Sequence, residues 1–242
     1  MNLVKDEMKE ENSSQATERR SLLKRLPRYA IICYLYFWAI DFLVFYGTRP
    51  ILPYLPAHSL STPLDEMIPV RSAWVVVYVA AFATWFITIA WIMPESNRHA
   101  YRLCGVYTII MIASLICFLA YPVTIQRPEV PEGGLFNDLL RLIYSLDSPT
   151  DLCPSLHVVL NYVCWRCTLD CRKIPKWYQW FNLICLILVC FSILFVKQHF
   201  IADIFVALVI TEGAVQIGRL TRIERIGFAI EERFKRRKDG SA

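Results

Sequence analysis

Runs of about 20 apolar residues recur along this chain and constrain its fold more than any other feature. Six such runs cover residues 29–47, 71–93, 102–123, 154–170, 179–197 and 199–218. A helix of about this length crosses the hydrocarbon core of a bilayer. Charged residues make up 19% of the 242 residues, whereas soluble domains carry roughly 25%. We therefore predict an all-α, polytopic membrane protein in which six transmembrane helices form a bundle.

The segments that connect these runs differ in lysine and arginine content, which predicts the orientation of the helices. Residues 1–28, 94–102, 166–178 and 219–242 together hold 21 of the 26 lysines and arginines. Because cytoplasmic segments are enriched in these residues, both termini are predicted to be cytoplasmic. The domain organisation is then a cytoplasmic segment 1–28, a membrane domain 29–218 and a basic tail 219–242. Since the basic residues follow the membrane topology, the net charge of +5 does not indicate a nucleic-acid partner.

Three segments outside the predicted spans have their own patterns. Residues 135–144 have a broad apolar face and are too short to span, which predicts a helix at the outer membrane surface. The 50–70 segment contains five prolines and is expected to lack regular structure. In the tail, apolar residues recur at helical spacing at Leu220, Ile223, Ile226, Ile230 and Phe234. The tail is either an amphipathic helix on the anionic inner leaflet or a solvated basic segment that fixes topology.

His199 and Asp203 are the most informative polar pair in the chain. Their spacing of four puts both side chains on one helix face. The apolar run 204–210 follows, so the carboxylate lies about one turn inside the membrane, where it costs roughly 2.5–3.5 kcal/mol unless it is paired. A carboxylate on one ring nitrogen of His199 leaves the other nitrogen as a nucleophile. The pair therefore predicts a functional site.

Two further groups of polar residues share the predicted outer side with this pair. Arg127 follows the third span, and Ser155 and His157 open the fourth. Ser155 is expected in the first turn of a helix, where free N–H groups favour an anion. Arg127 and Lys197 supply positive charge for a phosphate, and His157 is placed to transfer protons. These residue types favour phosphoryl transfer.

The same residues carry a resemblance to the type 2 phosphatidic acid phosphatase superfamily. The family pattern is Lys-x6-Arg-Pro, Pro-Ser-Gly-His and Ser-Arg-x5-His-x3-Asp on a six-helix core. It is matched over roughly residues 100–215 by Arg127-Pro128, by Pro154, Ser155 and His157, and by Ser192, His199 and Asp203. The resemblance implies a phosphohistidine at His199, with His157 as general acid, Asp203 orienting the nucleophile, and no metal or cofactor.

The chain departs from this pattern at three positions. Ala120 and Ile193 stand where the family has lysine and arginine, and Lys197 is a candidate replacement for one of these cations. Leu156 stands in place of the glycine, as in the branch that contains inositol phosphorylceramide synthases. Those enzymes transfer the phosphoryl group with its head group to a lipid alcohol.

We therefore expect a lipid phosphate phosphatase in the cell membrane, with its active site on the extracytoplasmic side. The expected substrates are lipid phosphates or diphosphates such as phosphatidate or polyprenyl phosphates. The alternatives are a lipid phosphotransferase and, from a different class, a transporter using His199 and Asp203 as a proton relay or a non-catalytic binding protein. Membrane lipids are the expected surroundings, and no protein partner is indicated.

Some polar residues have simpler interpretations. His58 and His99 are expected at the surface, and Asp41 and Glu212 are expected to pair with polar groups between helices. Metal sites remain as less favoured alternatives, either at His157, His199 and Asp203 or at Cys164, Cys167 and Cys171.

Overall fold

The computed structural model describes residues 26–239, and within this range the chain is helical without strands. The helices are α1 Arg28–Thr48, α2 Pro63–Met67, α3 Val75–Ile92, α4 Asn97–Ala120, α5 Leu135–Leu146, α6 Leu156–Thr168, α7 Lys176–Phe195, α8 Ile201–Thr221 and α9 Glu224–Asp239. Two 3₁₀ turns, Leu52–Tyr54 and Ser72–Trp74, lie beside α1 and α3. The predicted all-α fold is confirmed for this part of the chain.

Five helical segments are long and apolar enough to cross a membrane. They are Arg28–Tyr54, Ser72–Ile92, Asn97–Ala120, Lys176–Phe195 and Ile201–Thr221. Large apolar side chains are exposed along their outer faces, for example Leu43, Ile184 and Val209, as expected for surfaces that face lipid. A helix also occupies the fourth predicted span, but α6 has 13 residues and is not one of the five.

Helix α6 lies inside the bundle, packed against α3, α7 and α8, and eight of its 13 residues are buried. The polar residues that interrupt its apolar run have partners. The Asn161 amide donates to the His157 carbonyl at 2.8 Å, and Arg166 Nε lies 3.1 Å from Glu212 Oε2. The expected pairing of Glu212 between helices is therefore confirmed, and Asp41 is likewise paired, with the Tyr107 hydroxyl.

The 50–70 segment is more ordered than its prolines suggested, so the prediction that it lacks regular structure is wrong. Thr62 and Asp65 form a capping box around α2, with Pro63 at the first helical position. Proline suits that position because its missing N–H would have no helical partner. Asp65 is buried, and its second oxygen accepts the Ile201 N–H at 2.8 Å. This short helix is thereby tied to the start of α8.

The two amphipathic segments are both helical. Residues 135–144 lie in α5, and most of the tail forms α9, which packs on α4. Glu224 at the start of α9 lies 3.0 Å from Arg98 Nε and 2.9 Å from Arg102 Nη2. Within the predicted N-terminal segment, residues 1–25 lie outside the described part of the chain, as do residues 240–242 of the tail.

Candidate functional site

The connection between α7 and α8 brings His199 into the interior. Lys197 adopts a left-handed backbone with φ of 48°, and the Gln198 N–H returns to the Ile193 carbonyl at 2.9 Å. This tight turn leaves Gln198 and His199 buried, with 3% and 9% of their surfaces exposed.

The Asp203 carboxylate contacts both a backbone N–H of this turn and the His199 ring. Its Oδ2 accepts the Phe200 N–H at 2.9 Å and lies 3.3 Å from His199 Nδ1. The second distance is slightly longer than the usual range for such a hydrogen bond, which is common in catalytic pairs before substrate binds. A proton on Nδ1 facing the carboxylate leaves Nε2 of His199 with its lone pair. The predicted pairing of His199 with Asp203 is therefore present.

The start of α6 docks beside this pair. Ser155 is the N-cap of α6, just outside the first turn where it was predicted, and it follows the cis peptide Cys153–Pro154. Its N–H donates to the Asp203 carbonyl at 3.4 Å, while its buried Oγ has no hydrogen-bond partner among residues 26–239. This contact fixes the depth of α6 relative to α8.

The two histidines meet as a result. The ring centroids of His157 and His199 lie 5.8 Å apart. His157 is packed against aromatic rings, with its centroid 4.3 Å from that of Tyr78 and 5.2 Å from that of Trp85. Its Nε2 is buried without a hydrogen-bond partner in the described chain.

Arg127 lies near the site but is held by the protein itself. Its Nη1 donates to the carbonyls of Tyr144 at 3.0 Å and Asp147 at 2.8 Å, and its Nη2 donates to the Ser148 carbonyl at 3.3 Å and to the Gln198 side chain. These contacts occupy its four terminal N–H groups. Burial lowers the pKa of Arg127, with Asp147 opposing that effect. The guanidinium thus links the end of α5 to the His199 turn, and phosphate binding by Arg127 stays a prediction.

Lys197 lines a cavity that His199 also lines and that His157 does not reach. Its Nζ donates to the Asp65 carbonyl at 2.7 Å, and burial lowers its pKa. Lys197, His199, Asp65 and the exposed Glu66 are polar residues in the mixed wall of this cavity, whose volume is about 360 Å³. An ammonium has three donors, so Lys197 retains capacity to bind a phosphate oxygen in this cavity.

A second cavity, of about 380 Å³, opens between α1, α3, α5 and α6. Aromatic side chains dominate its wall, and His157 is one of its few polar residues. At one end Arg49 Nη2 lies 2.6 Å from Asp147 Oδ1, and the Tyr78 hydroxyl donates to Asp147 Oδ2 at 3.3 Å. Its mostly apolar lining suits a hydrocarbon chain.

A third, smaller cavity of about 30 Å³ has both histidines in its wall, together with Asp147, Asp151 and Gln198. Asp151 has a φ of 54°, and its Oδ1 accepts from the Thr150 hydroxyl at 3.2 Å. Burial raises the pKa of Asp151 to about 7, the Asp147 charge adds to the effect, and Arg49 opposes it.

Sequence reasoning did not assign a role to Arg49, Asp147, Asp151 or Gln198. All four lie on the predicted outer side, and Asp151 and Gln198 are within a few residues of the two histidine motifs. Their proximity to a histidine motif is therefore the sequence signal that could have identified Asp151 and Gln198. As for metal sites, no group of three His, Cys, Asp or Glu side chains within residues 26–239 is arranged to hold an ion.

Comparisons of the chain with protein-family models, with curated proteins and with solved structures found no match.

Proposed function

We propose that this chain is a membrane lipid phosphatase of the type 2 phosphatidic acid phosphatase kind, acting through a phosphohistidine at His199. The observation that carries the proposal is the approach of the His157 and His199 rings to 5.8 Å, with Asp203 on Nδ1 of His199. A nucleophile oriented by a carboxylate, next to a proton-transfer group, is the arrangement that covalent catalysis requires.

In the first step, the lone pair on His199 Nε2 attacks phosphorus and forms a P–N bond. The bond between phosphorus and the lipid oxygen breaks, and that oxygen takes a proton from His157. Charge that develops on the phosphoryl oxygens is stabilised by Lys197 and by the free N–H groups that begin α6. Water then hydrolyses the phosphohistidine and releases phosphate.

The large apolar cavity supports a lipid substrate. It reaches His157, which is the proton donor to the leaving oxygen in this mechanism, and its aromatic wall suits acyl or prenyl chains. Arg49, paired with Asp147, lines the same cavity as His157. We propose phosphatidate-like or polyprenyl phosphates as substrates, with the cell membrane as the location.

We also propose that the chain crosses the membrane six times, with both termini in the cytoplasm. Helix α6 is short, but it and the turn that follows extend as far along the membrane normal as α8 does. The Ser155 N–H contacts Asp203 at one end, and Asp170 lies 2.9 Å from Arg219 at the other. The step from 155 to 170 is 15 residues and that from 203 to 219 is 16, about 23–24 Å of helix in each case. The uneven distribution of lysine and arginine supports the orientation.

Phosphate release from a panel of lipid phosphates, measured in detergent with EDTA, tests the proposal. We expect activity in the wild type and in His58→Ala, an exposed histidine used as the control. His199→Ala should lose activity by at least about 1,000-fold because it removes the nucleophile. Activity of His199→Ala equal to the wild type, or no reaction with any lipid phosphate, would contradict the proposed function.

Transfer of a phospho-head group to a lipid alcohol is a second candidate, favoured by the cavity that Lys197, Asp65, Glu66 and His199 help to line. At about 360 Å³ it has room for a polar head group. An enzyme of this kind would move the head group of a phospholipid onto added ceramide or diacylglycerol and release little phosphate. The same lipid panel, with those acceptors added, distinguishes the two reactions.

A further inference from the structure

The small cavity between the two histidines collects buried polar atoms that have no hydrogen-bond partner among the described residues. These are Asp151 Oδ2, Gln198 Nε2 and His157 Nε2, each from a residue in the wall of this cavity. Most buried polar atoms in proteins are hydrogen-bonded, so each exception requires an explanation. Because all three residues line this one cavity, a small polar molecule held in it is a candidate partner for them.

The size of the cavity restricts this ligand. Its volume is about 30 Å³, and a buried water needs about 10–15 Å³ by the same measure. One or two water molecules therefore fit, whereas a lipid alcohol does not. In the phosphoenzyme His157 has given up its proton, so Gln198, Asp151 and His157 in the cavity wall offer a water one donor and two acceptors. Three partners lie within the two to four that a buried water needs.

We propose that this cavity holds the water that hydrolyses the phosphohistidine and that Asp151 is the general base for this step. The inference rests on the proposed phosphatase reaction and assigns its second half. His199 lies in the same cavity wall, so a water in the cavity is next to the ring that carries the phosphoryl group.

The water oxygen attacks phosphorus while one of its protons passes to the Asp151 carboxylate. The P–N bond to His199 breaks and its electron pair returns to Nε2, so hydrogen phosphate leaves and the Nδ1 proton remains facing Asp203. Asp151 then passes this proton to His157, which gave its own proton to the lipid oxygen in the first step and lines the same cavity, so both groups are restored for the next cycle.

The surroundings of Asp151 suit a base that works near neutral pH. Burial raises its pKa to about 7, the Asp147 charge adds to this, and Arg49, the Thr150 hydroxyl and Arg127 limit it. A base with a pKa near the working pH combines a useful ionised fraction with proton affinity. His157 and His199 complete the titratable groups in the cavity wall.

Asp151→Asn tests the proposal because it keeps the shape of the side chain and removes the base. With a labelled lipid phosphate and purified full-length protein, we expect phosphorylation of His199 at the wild-type rate but phosphate release slowed at least about 100-fold. The acid-labile, base-stable phosphoenzyme should then accumulate well above its wild-type level. Asp138→Asn, an exposed acid on α5, is the matched control and should match the wild type.

Wild-type turnover and no phosphoenzyme accumulation in Asp151→Asn would overturn the inference and leave the phosphatase proposal intact. No phosphoenzyme in either protein, together with no phosphate release by the wild type, would contradict the phosphatase proposal instead. If Asp151→Asn does not fold, the pH dependence of the wild-type dephosphorylation rate tests the inference. The rate should rise about tenfold per pH unit below about pH 7 and level off above it, and a rate that is constant with pH would overturn the inference.

Discussion

The backbone N–H of Ser155 donates to the Asp203 carbonyl at 3.4 Å, which joins the start of α6 to the first turn of α8. His157 is two residues beyond Ser155, and His199 is held by the Asp203 side chain through Nδ1. This contact, together with the packing of α6 on α8, sets the separation of the two rings. A shift of either helix along its axis would move the His157 ring away from the His199 ring.

Asp203→Asn should lower kcat by at least about 100-fold, because the amide orients His199 without stabilising the charge that develops on its ring. The amide oxygen can still accept the Phe200 N–H, so the apparent Tm should stay close to that of the wild type. Steady-state kinetics and thermal unfolding in detergent measure the two quantities. A folded variant with wild-type kcat would contradict the assignment of Asp203.

Arg127→Lys should reduce stability more than it affects substrate binding. The guanidinium binds three carbonyls and the Gln198 side chain, and an ammonium cannot reproduce that geometry, so the loss should be about 2–4 kcal/mol. Arg141→Lys, at an exposed pair with Glu132, is the control. Unchanged Tm with a KM raised at least about tenfold would assign Arg127 to phosphate binding instead.

Leu160→Phe should reduce activity on long-chain lipid phosphates while sparing short, water-soluble phosphomonoesters. Leu160 is buried in the wall of the apolar cavity, so a larger ring takes up space that a lipid chain needs. We expect kcat/KM to fall at least about tenfold for the long-chain substrate and less than about threefold for the short one. Equal losses for both, with Val209→Phe on the exposed face of α8 unaffected, would exclude this cavity as the chain site.

Gly227→Ala should loosen α9 from α4. A Cβ at Gly227 would lie 2.4 Å from the Tyr101 ring, whose hydroxyl donates to Glu231 at 2.9 Å. Limited proteolysis with trypsin should cut the tail several-fold faster, because local unfolding exposes its basic residues. Gly213→Ala, with open space around its Cβ position, is the control. Equal cleavage of both variants would show that this contact does not hold the tail.

Asp151→Asn should change the dependence of stability on pH. The pKa of Asp151 is raised from 3.8 to about 7 in the fold, so the folded state is favoured when Asp151 is protonated. This stabilisation has its full value below about pH 4. That contribution is lost as pH rises to about 7, at a cost of up to about 4 kcal/mol. The variant should therefore gain Tm relative to the wild type between about pH 4.5 and 8. A constant difference in Tm would contradict the raised pKa.

The helices and the pairing of His199 with Asp203 could be predicted because both depend on local patterns. Apolar runs identify spans, and a spacing of four puts two residues on one helix face. The capped helix α2 was missed because five prolines outweighed the Thr62–Asp65 signal. The bonding of Arg127 was unpredictable in principle, since its partners come from segments 17 to 71 residues away.

Sequence alone determined that this chain is helical, rich in membrane-length apolar segments, and equipped with two histidine motifs. These properties follow from composition and periodicity, which act over a few residues at a time. Only the tertiary structure decided that the two histidines meet at 5.8 Å, and that Asp151 and Gln198 share their cavity. Such contacts depend on how α6 is set in depth against α8, which is a packing relationship between distant segments and leaves no periodic signal in the sequence.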